Sequence, residues 1–148
     1  MLVEASLLKN RIARKIETAY GKFYFFENFI ISEFNEGVIV TYEVSAPIIN
    51  EAKKHYGKAA PIAYISNRVN SYSVNPTDWL RFYKENNFIV SMAVIAHNHL
   101  ALSNVMLERC FVRCKMKKFS TLLMAASWSQ NNVNKFKDRI ITDLKHIA

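Results

Sequence analysis

The chain has 148 residues, 51% hydrophobic and 13% aromatic, with a formal net charge of +8. That size and composition predict one domain with a sizeable core and exclude a disordered chain, which needs low hydrophobicity with high net charge. Three Gly and three Pro exclude collagen-like repeats and long flexible linkers.

No window approaches the roughly 18 uncharged apolar residues of a membrane span. The opening MLVEASLLKNRIARK, interrupted by Glu4, lacks the basic start and long apolar core of a signal peptide. A soluble, cytoplasmic protein is expected, with residues 1–13 an arm or short helix and residues 14–148 one domain.

From Arg14 to Asn35 the β-formers dominate, in KIETAY, KFYFF and FIISEF. Such residues fit a pleated, half-buried surface, and breaks at Gly21 and Glu27-Asn28 predict two or three antiparallel strands. Asn35-Glu36-Gly37 is a turn signal. Val44, Ile48, Ala52 and Tyr56 then recur every four residues, the stripe of a helix opened at Thr41 or Ser45 and closed by Gly57. Pro47 suits that helix only near its start.

A strand is expected over 61–66, followed by a polar loop over 66–75. Asn75, Pro76 and Asp78 then form an N-terminal helix signature, with Trp79, Leu80 and Phe82 or Tyr83 directed inward. The run FIVSMAVIA, Phe88 to Ala96, predicts a strand covered on both faces. Leu100, Leu107, Cys110 or Phe111, and Cys114 predict a further helix, Phe119 to Met124 a short strand, and Ser127 or Ser129 the start of a last helix. Its apolar positions are Val133, Phe136, Ile140, Leu144 and Ile147. The order is β-hairpin, α, β, α, β, α, β, α. Alternation of this kind predicts an α/β fold: a mainly parallel sheet with an antiparallel N-terminal hairpin, flanked by about four helices.

Ligands of parallel sheets sit outside the carboxyl ends of the strands. The expected loops there carry Asn67, Arg68, Asn70, Ser71, Tyr72 and Ser73 in the first, His97, Asn98 and His99 in the second, and Ser127 and Trp128 in the third. Arg68 suits a phosphate or carboxylate, and helix N-termini at Asn75 and Asn98 would add N–H donors. The plain alternative is that Asn and Ser satisfy turns and caps while Arg68 bonds its own loop or a neighbouring acid.

His97 and His99 would share a face on a strand, but nothing nearby completes the three or four ligands of a zinc site. No metal or other cofactor is expected. His55 and His146 fall at helix ends. No Gly-x-Ser-x-Gly elbow stands in the sequence, although His97 could meet Ser66 or Ser71 in space, and no Gly-rich phosphate loop is possible with three scattered Gly. An enzyme is therefore not expected. Cys110 and Cys114, four apart on an expected helix, read as buried thiols.

Arg109, Arg113, Lys115, Lys117 and Lys118 form a basic cluster on that helix, a solvated face or a non-specific nucleic-acid contact. Seven aromatics between Tyr20 and Phe34 read as core and cross-strand pairs. With Tyr24 and Phe26 turned outward they would be a patch for a partner or a second copy.

The element order, with an antiparallel strand before the first helix, resembles the STAS fold of anti-sigma-factor antagonists and sulfate-transporter tails. FIISEF, the Asn35-Glu36-Gly37 turn and the helix opening near Thr41 carry the local likeness, and YISNRVNSYSVNP follows the next strand as in small uncharacterised bacterial STAS/SEC14-like proteins. The resemblance spans roughly residues 14–145. It implies a non-enzymatic module that binds a protein partner or itself or, through the SEC14 association, a small acidic or lipid-like ligand at the carboxyl edge of the sheet.

Regulatory members of the family carry a phosphorylatable serine after that strand, in an acid–Ser–Ser/Thr–Gly motif. Here Ser66 stands between Ile65 and Asn67, with Ser71 and Ser73 farther along a longer loop and no Asp-Ser-Ser-Gly run. Ser66, Ser71 and Ser73 are the phosphorylation candidates that the resemblance implies.

Overall fold

The computed structural model describes residues 1–147, with side chains for all of them except His99 and Leu100. Strands β1 (Arg14–Thr18), β2 (Gly21–Phe25) and β3 (Phe29–Phe34) form an antiparallel meander. After β4 (Ile39–Val40) come α1 (Tyr42–Tyr56), β5 (Ile62–Arg68), β6 (Ser73–Val74), α2 (Asp78–Glu85), β7 (Ile89–Ala96), α3 (His99–Arg109), β8 (Lys115–Phe119) and α4 (Leu122–Ile147). The main sheet runs β1-β2-β3-β5-β7-β8, parallel from β3 onward, and β4 pairs with β6 in a separate two-stranded ribbon. The α/β class, the antiparallel opening and four helices are as expected.

Period two divides the sheet residues between two faces. Tyr24, Ile31, Ile65, Ala93 and Ile95 face α4 and form one core with Ala125, Ala126 and Val133. Phe23, Phe25, Ile30, Phe34 and Ile62 face α1 and α2, where Ile48, Ala52 and Phe82 cover them. Residues 1–13 form two short 3-10 turns, whose Val3 and Leu8 are fully buried in the α4-side core. Tyr24 and Phe26 are likewise buried, so the outward aromatic patch does not exist.

Thr41 caps α1, accepting from Val44 N at 3.3 Å, and Gly57 closes it at φ 98°. Pro47 lies in the second turn rather than the first, on the exposed side. Gly21 is required by proximity: a Cβ there would stand 2.5 Å from Glu33 O.

Several expectations are corrected. The strand over 61–66 continues to Arg68, and Asn75 does not cap α2. Asn75 Oδ1 instead accepts from Thr77 Oγ1 (3.0 Å), and the helix begins at Asp78. The third helix ends at Arg109, so Cys110 and Cys114 do not share a helical face, and Cys110 is exposed. Of the basic residues 109–118 only Arg109 therefore lies on a helix; Lys115, Lys117 and Lys118 lie on β8, an edge strand, where charge discourages edge-to-edge pairing. The strand expected over Phe119 to Met124 instead ends at Phe119, because α4 starts at Leu122, with Thr121 Oγ1 accepting from Met124 N at 3.2 Å. Ser127 and Trp128 consequently stand inside α4 rather than in a loop.

Candidate functional site

A cavity of about 130 Å³ lies between the sheet and the pair α1 and α2. Apolar cavities on the order of 150 Å³ admit a molecule the size of benzene. Its body is apolar, bounded by Phe23, Ile30, Ile48, Ala52, Ile62 and Phe88. The helices above it are tied together at their polar rims. Asp78 Oδ2 accepts from Tyr42 N (2.8 Å), Tyr42 donates its hydroxyl to Glu85 (2.8 Å), and Arg81 pairs with Glu43 while stacking 4.4 Å from the Tyr42 ring centroid.

One end of the cavity is polar. Arg68, the last residue of β5, pairs with Glu108 of α3, and their side chains are 2% and 3% exposed. Arg68 Nε donates to Ser66 Oγ (3.1 Å), and Ser66 Oγ shares a hydrogen bond with the Tyr72 hydroxyl (3.0 Å). Trp79 Nε1 donates to the other Glu108 oxygen (3.2 Å), and Ser32 Oγ lies 2.6 Å from the Tyr64 hydroxyl. Arg68 Nη1, although buried, meets no acceptor among the described residues.

Burial disfavours the charged guanidinium, but the anionic groups facing it, at neutral pH the Glu108 carboxylate, more than offset this and raise its pKa, so Arg68 is a permanent cation here. Burial also raises the pKa of the Tyr72 hydroxyl, against the pull of Arg68 and Ser66, and that of Tyr64. Both remain neutral donors at physiological pH. The arrangement can hold a polar, hydrogen-bond-accepting head at Arg68 while the rest of a small molecule occupies the apolar body.

No protein-family model matches this chain, and no curated protein does. Among solved structures, an uncharacterised protein of the DUF3478 family with a SpoIIAA-like fold, from Shewanella loihica PV-4, is similar at 15% identity and a TM-score of 0.49. The match covers 78% of this chain and 90% of that one.

The expected site residues separate. Ser66, Arg68 and Tyr72 meet at the cavity. Asn67, between two of them on a strand, points to the opposite face, where its Nδ2 donates to Glu33 Oε2 (2.7 Å) and to Met1 O (2.8 Å). Asn70 donates to Phe34 O (3.0 Å), a turn-stabilising contact. Ser71 and Ser73 are exposed, with Ser71 N donating to Glu36 (2.8 Å). Ser66 is fully buried, so a kinase cannot reach it in this fold.

His97 is exposed just beyond β7. His99 opens α3, which removes the expected period-two pairing of the two, and its side chain lies outside the described residues. No cluster of three His, Cys, Asp or Glu is arranged to hold a metal among the described residues.

Glu108 is the site residue that sequence reasoning missed. Its signal was present: Ala101, Val105 and Glu108 stand at i, i+4 and i+7, which places an acid on the buried stripe of a helix.

Proposed function

We propose that this protein is a non-enzymatic, STAS-like binding module that takes a small amphipathic molecule into the cavity between the sheet, α1 and α2. The molecule has an apolar body of benzene-like dimensions and a short hydrogen-bond-accepting head. The observation that carries this reading is a predominantly apolar cavity ending at a buried arginine with an unsatisfied N–H group. Buried polar groups are almost always hydrogen-bonded, and a bound acceptor would complete the set. Because Glu108 already neutralises Arg68, the site suits a hydroxyl, carbonyl or amide head better than a full negative charge.

NMR titration with benzyl alcohol, benzoate and toluene tests it. Benzyl alcohol is expected to shift the signals of Ala52, Ile62 and Phe88 and to bind more tightly than the other two. An Ala52→Leu variant, folded but with the cavity filled, is expected to lose the effect. Absence of binding by all three probes, or equal binding by the Ala52→Leu variant, would overturn the assignment.

A second reading, docking of a protein partner, is favoured by the exposed Ser71 and Ser73 beside this cavity. Pull-downs with wild type and a Ser71→Arg/Ser73→Arg variant test it. Identical partner lists would remove it.

A further inference from the structure

The C-terminal half of α4 extends beyond the sheet that its first half covers. Ala125, Ala126, Ser129 and Val133 are buried, whereas every described residue from Asn134 onward is exposed. Lys137 Nζ donates to Asn28 Oδ1 (2.9 Å) at the rim of the body. Past this point the apolar stripe continues without a covering element. Phe136, Ile140, Leu144 and Ile147 fall within an arc of about 80° that includes the direction of Val133, at ~100° per residue. Their exposure rises from 36% at Phe136 to 82% at Ile147, and Ile141 flanks them at 52%. Five such side chains present on the order of 500 Å² of apolar surface, the scale of a functional patch.

We infer that this stripe is a homodimer interface, in which two α4 tails pair antiparallel about a dyad near Ile141. The charges beside the stripe select this arrangement. On one flank stand Arg139, two residues before the dyad, and Asp143, two residues after it. Antiparallel pairing sets each Arg139 opposite Asp143 of the second copy. Symmetry makes this pair twice. In-register parallel pairing does not bring these opposite charges together.

Doubling the apolar patch and adding the charged flanks gives a buried area near the ~1,200 Å² lower bound of specific interfaces, so a reversible dimer with a midpoint in the micromolar range is expected.

Sedimentation velocity of the full chain from about 1 to 300 μM, which brackets the micromolar affinities of small interfaces, tests the proposal. Wild type is expected to pass from monomer to dimer. An Ile140→Glu/Leu144→Glu variant, whose substitutions are exposed and whose circular dichroism should match wild type, is expected to remain monomeric throughout. Geometry is read by spin-label distances in a Cys110→Ser/Cys114→Ser background. Labels at Thr142, near the dyad and on the outer face, should lie closer together than labels at Lys135, which antiparallel pairing offsets by roughly 18 Å along the axis.

A monomer at every concentration, or a dimer untouched by the two glutamates, would overturn the inference. Equal distances at both label positions would overturn the antiparallel arrangement. A monomer that sediments with anionic vesicles, and loses that property in the Ile140→Glu/Leu144→Glu variant, would assign the stripe to a lipid surface instead.

Discussion

Replacing Arg68 with alanine is expected to destabilise the protein severely, although nothing about Arg68 is visible from the surface. The guanidinium and the Glu108 carboxylate are almost completely removed from water. Deleting one partner strands the other charge in the interior, at a cost of about 3–5 kcal/mol. Domains are stable by only about 5–15 kcal/mol, so Arg68→Ala should consume a large share of the total. At roughly 2–4 °C per kcal/mol for a chain near this size, the melting temperature should fall by about 6–20 °C.

The companion variant Arg68→Met/Glu108→Leu removes both charges and refills the space. Swaps of that kind are often neutral or favourable by about 1–4 kcal/mol. Here Trp79 Nε1 and Ser66 Oγ also lose a partner, at about 1 kcal/mol each. The double variant should therefore come within about 2 kcal/mol of wild type. Urea unfolding with an unchanged slope measures both variants. A loss below about 1 kcal/mol for Arg68→Ala, or a double variant no better than the single, would refute the argument that the pair is buried and mutually dependent.

Gly21→Ala should cost about 1–3 kcal/mol in the same assay, because the added methyl collides with the β3 backbone at Glu33 and Phe34. Asn67→Ala should lose about 1–3 kcal/mol by leaving Glu33 short of a donor on the α4 side, and hydrogen exchange at Val3, whose N–H bonds the same carboxylate, should accelerate. Stability should also decline at alkaline pH. Burial raises the hydroxyl pKa values of Tyr56, Tyr64 and Tyr72, so above roughly pH 10, where the unfolded chain ionises its tyrosines, the folded state still holds these protons. Their contribution is complete below that pH and is lost as pH rises through the folded values. Urea midpoints should hold level to about pH 9 and then drop, and the drop should shrink in a Tyr56→Phe variant.

Strong periodicity made most of the fold legible. α1 announced itself through Val44, Ile48, Ala52 and Tyr56, and β7 through its apolar run. Errors gathered where local composition and tertiary role disagree. Lys115-Met116-Lys117-Lys118-Phe119 is a strand only because β7 offers an open edge, and its lysines gave no β signal. Leu107, Cys110 or Phe111, and Cys114 kept helical spacing past the true end of α3, with no Gly or Pro to mark the stop. Thr121 before Leu122, Ala125, Ala126 and Ser129 was a readable start for α4, overlooked because Phe119 to Met124 resembles a short strand.

The site was half legible for a related reason. Ser66-Asn67-Arg68 has loop composition, yet it continues a strand because Tyr72, Glu33 and Glu108 satisfy it from three directions. Those partners lie 6, 34 and 40 residues away along the chain, beyond the range of any local pattern. Once the segment is a strand, alternation sends Asn67 away from the cavity that its neighbours serve.

The position of α4 also bears on how the protein is made. It covers β7, β5 and β3 from a segment synthesised after all of them. Until residues 122–133 leave the ribosome, the sheet face bearing Phe29, Ile31, Ile65 and Ile95 has no cover but the N-terminal turns. Such a nascent chain presents an adhesive surface of the kind chaperones recognise. Folding is thus expected to await the emergence of α4, and stop codons placed before Leu122 should yield aggregates instead of a smaller soluble domain.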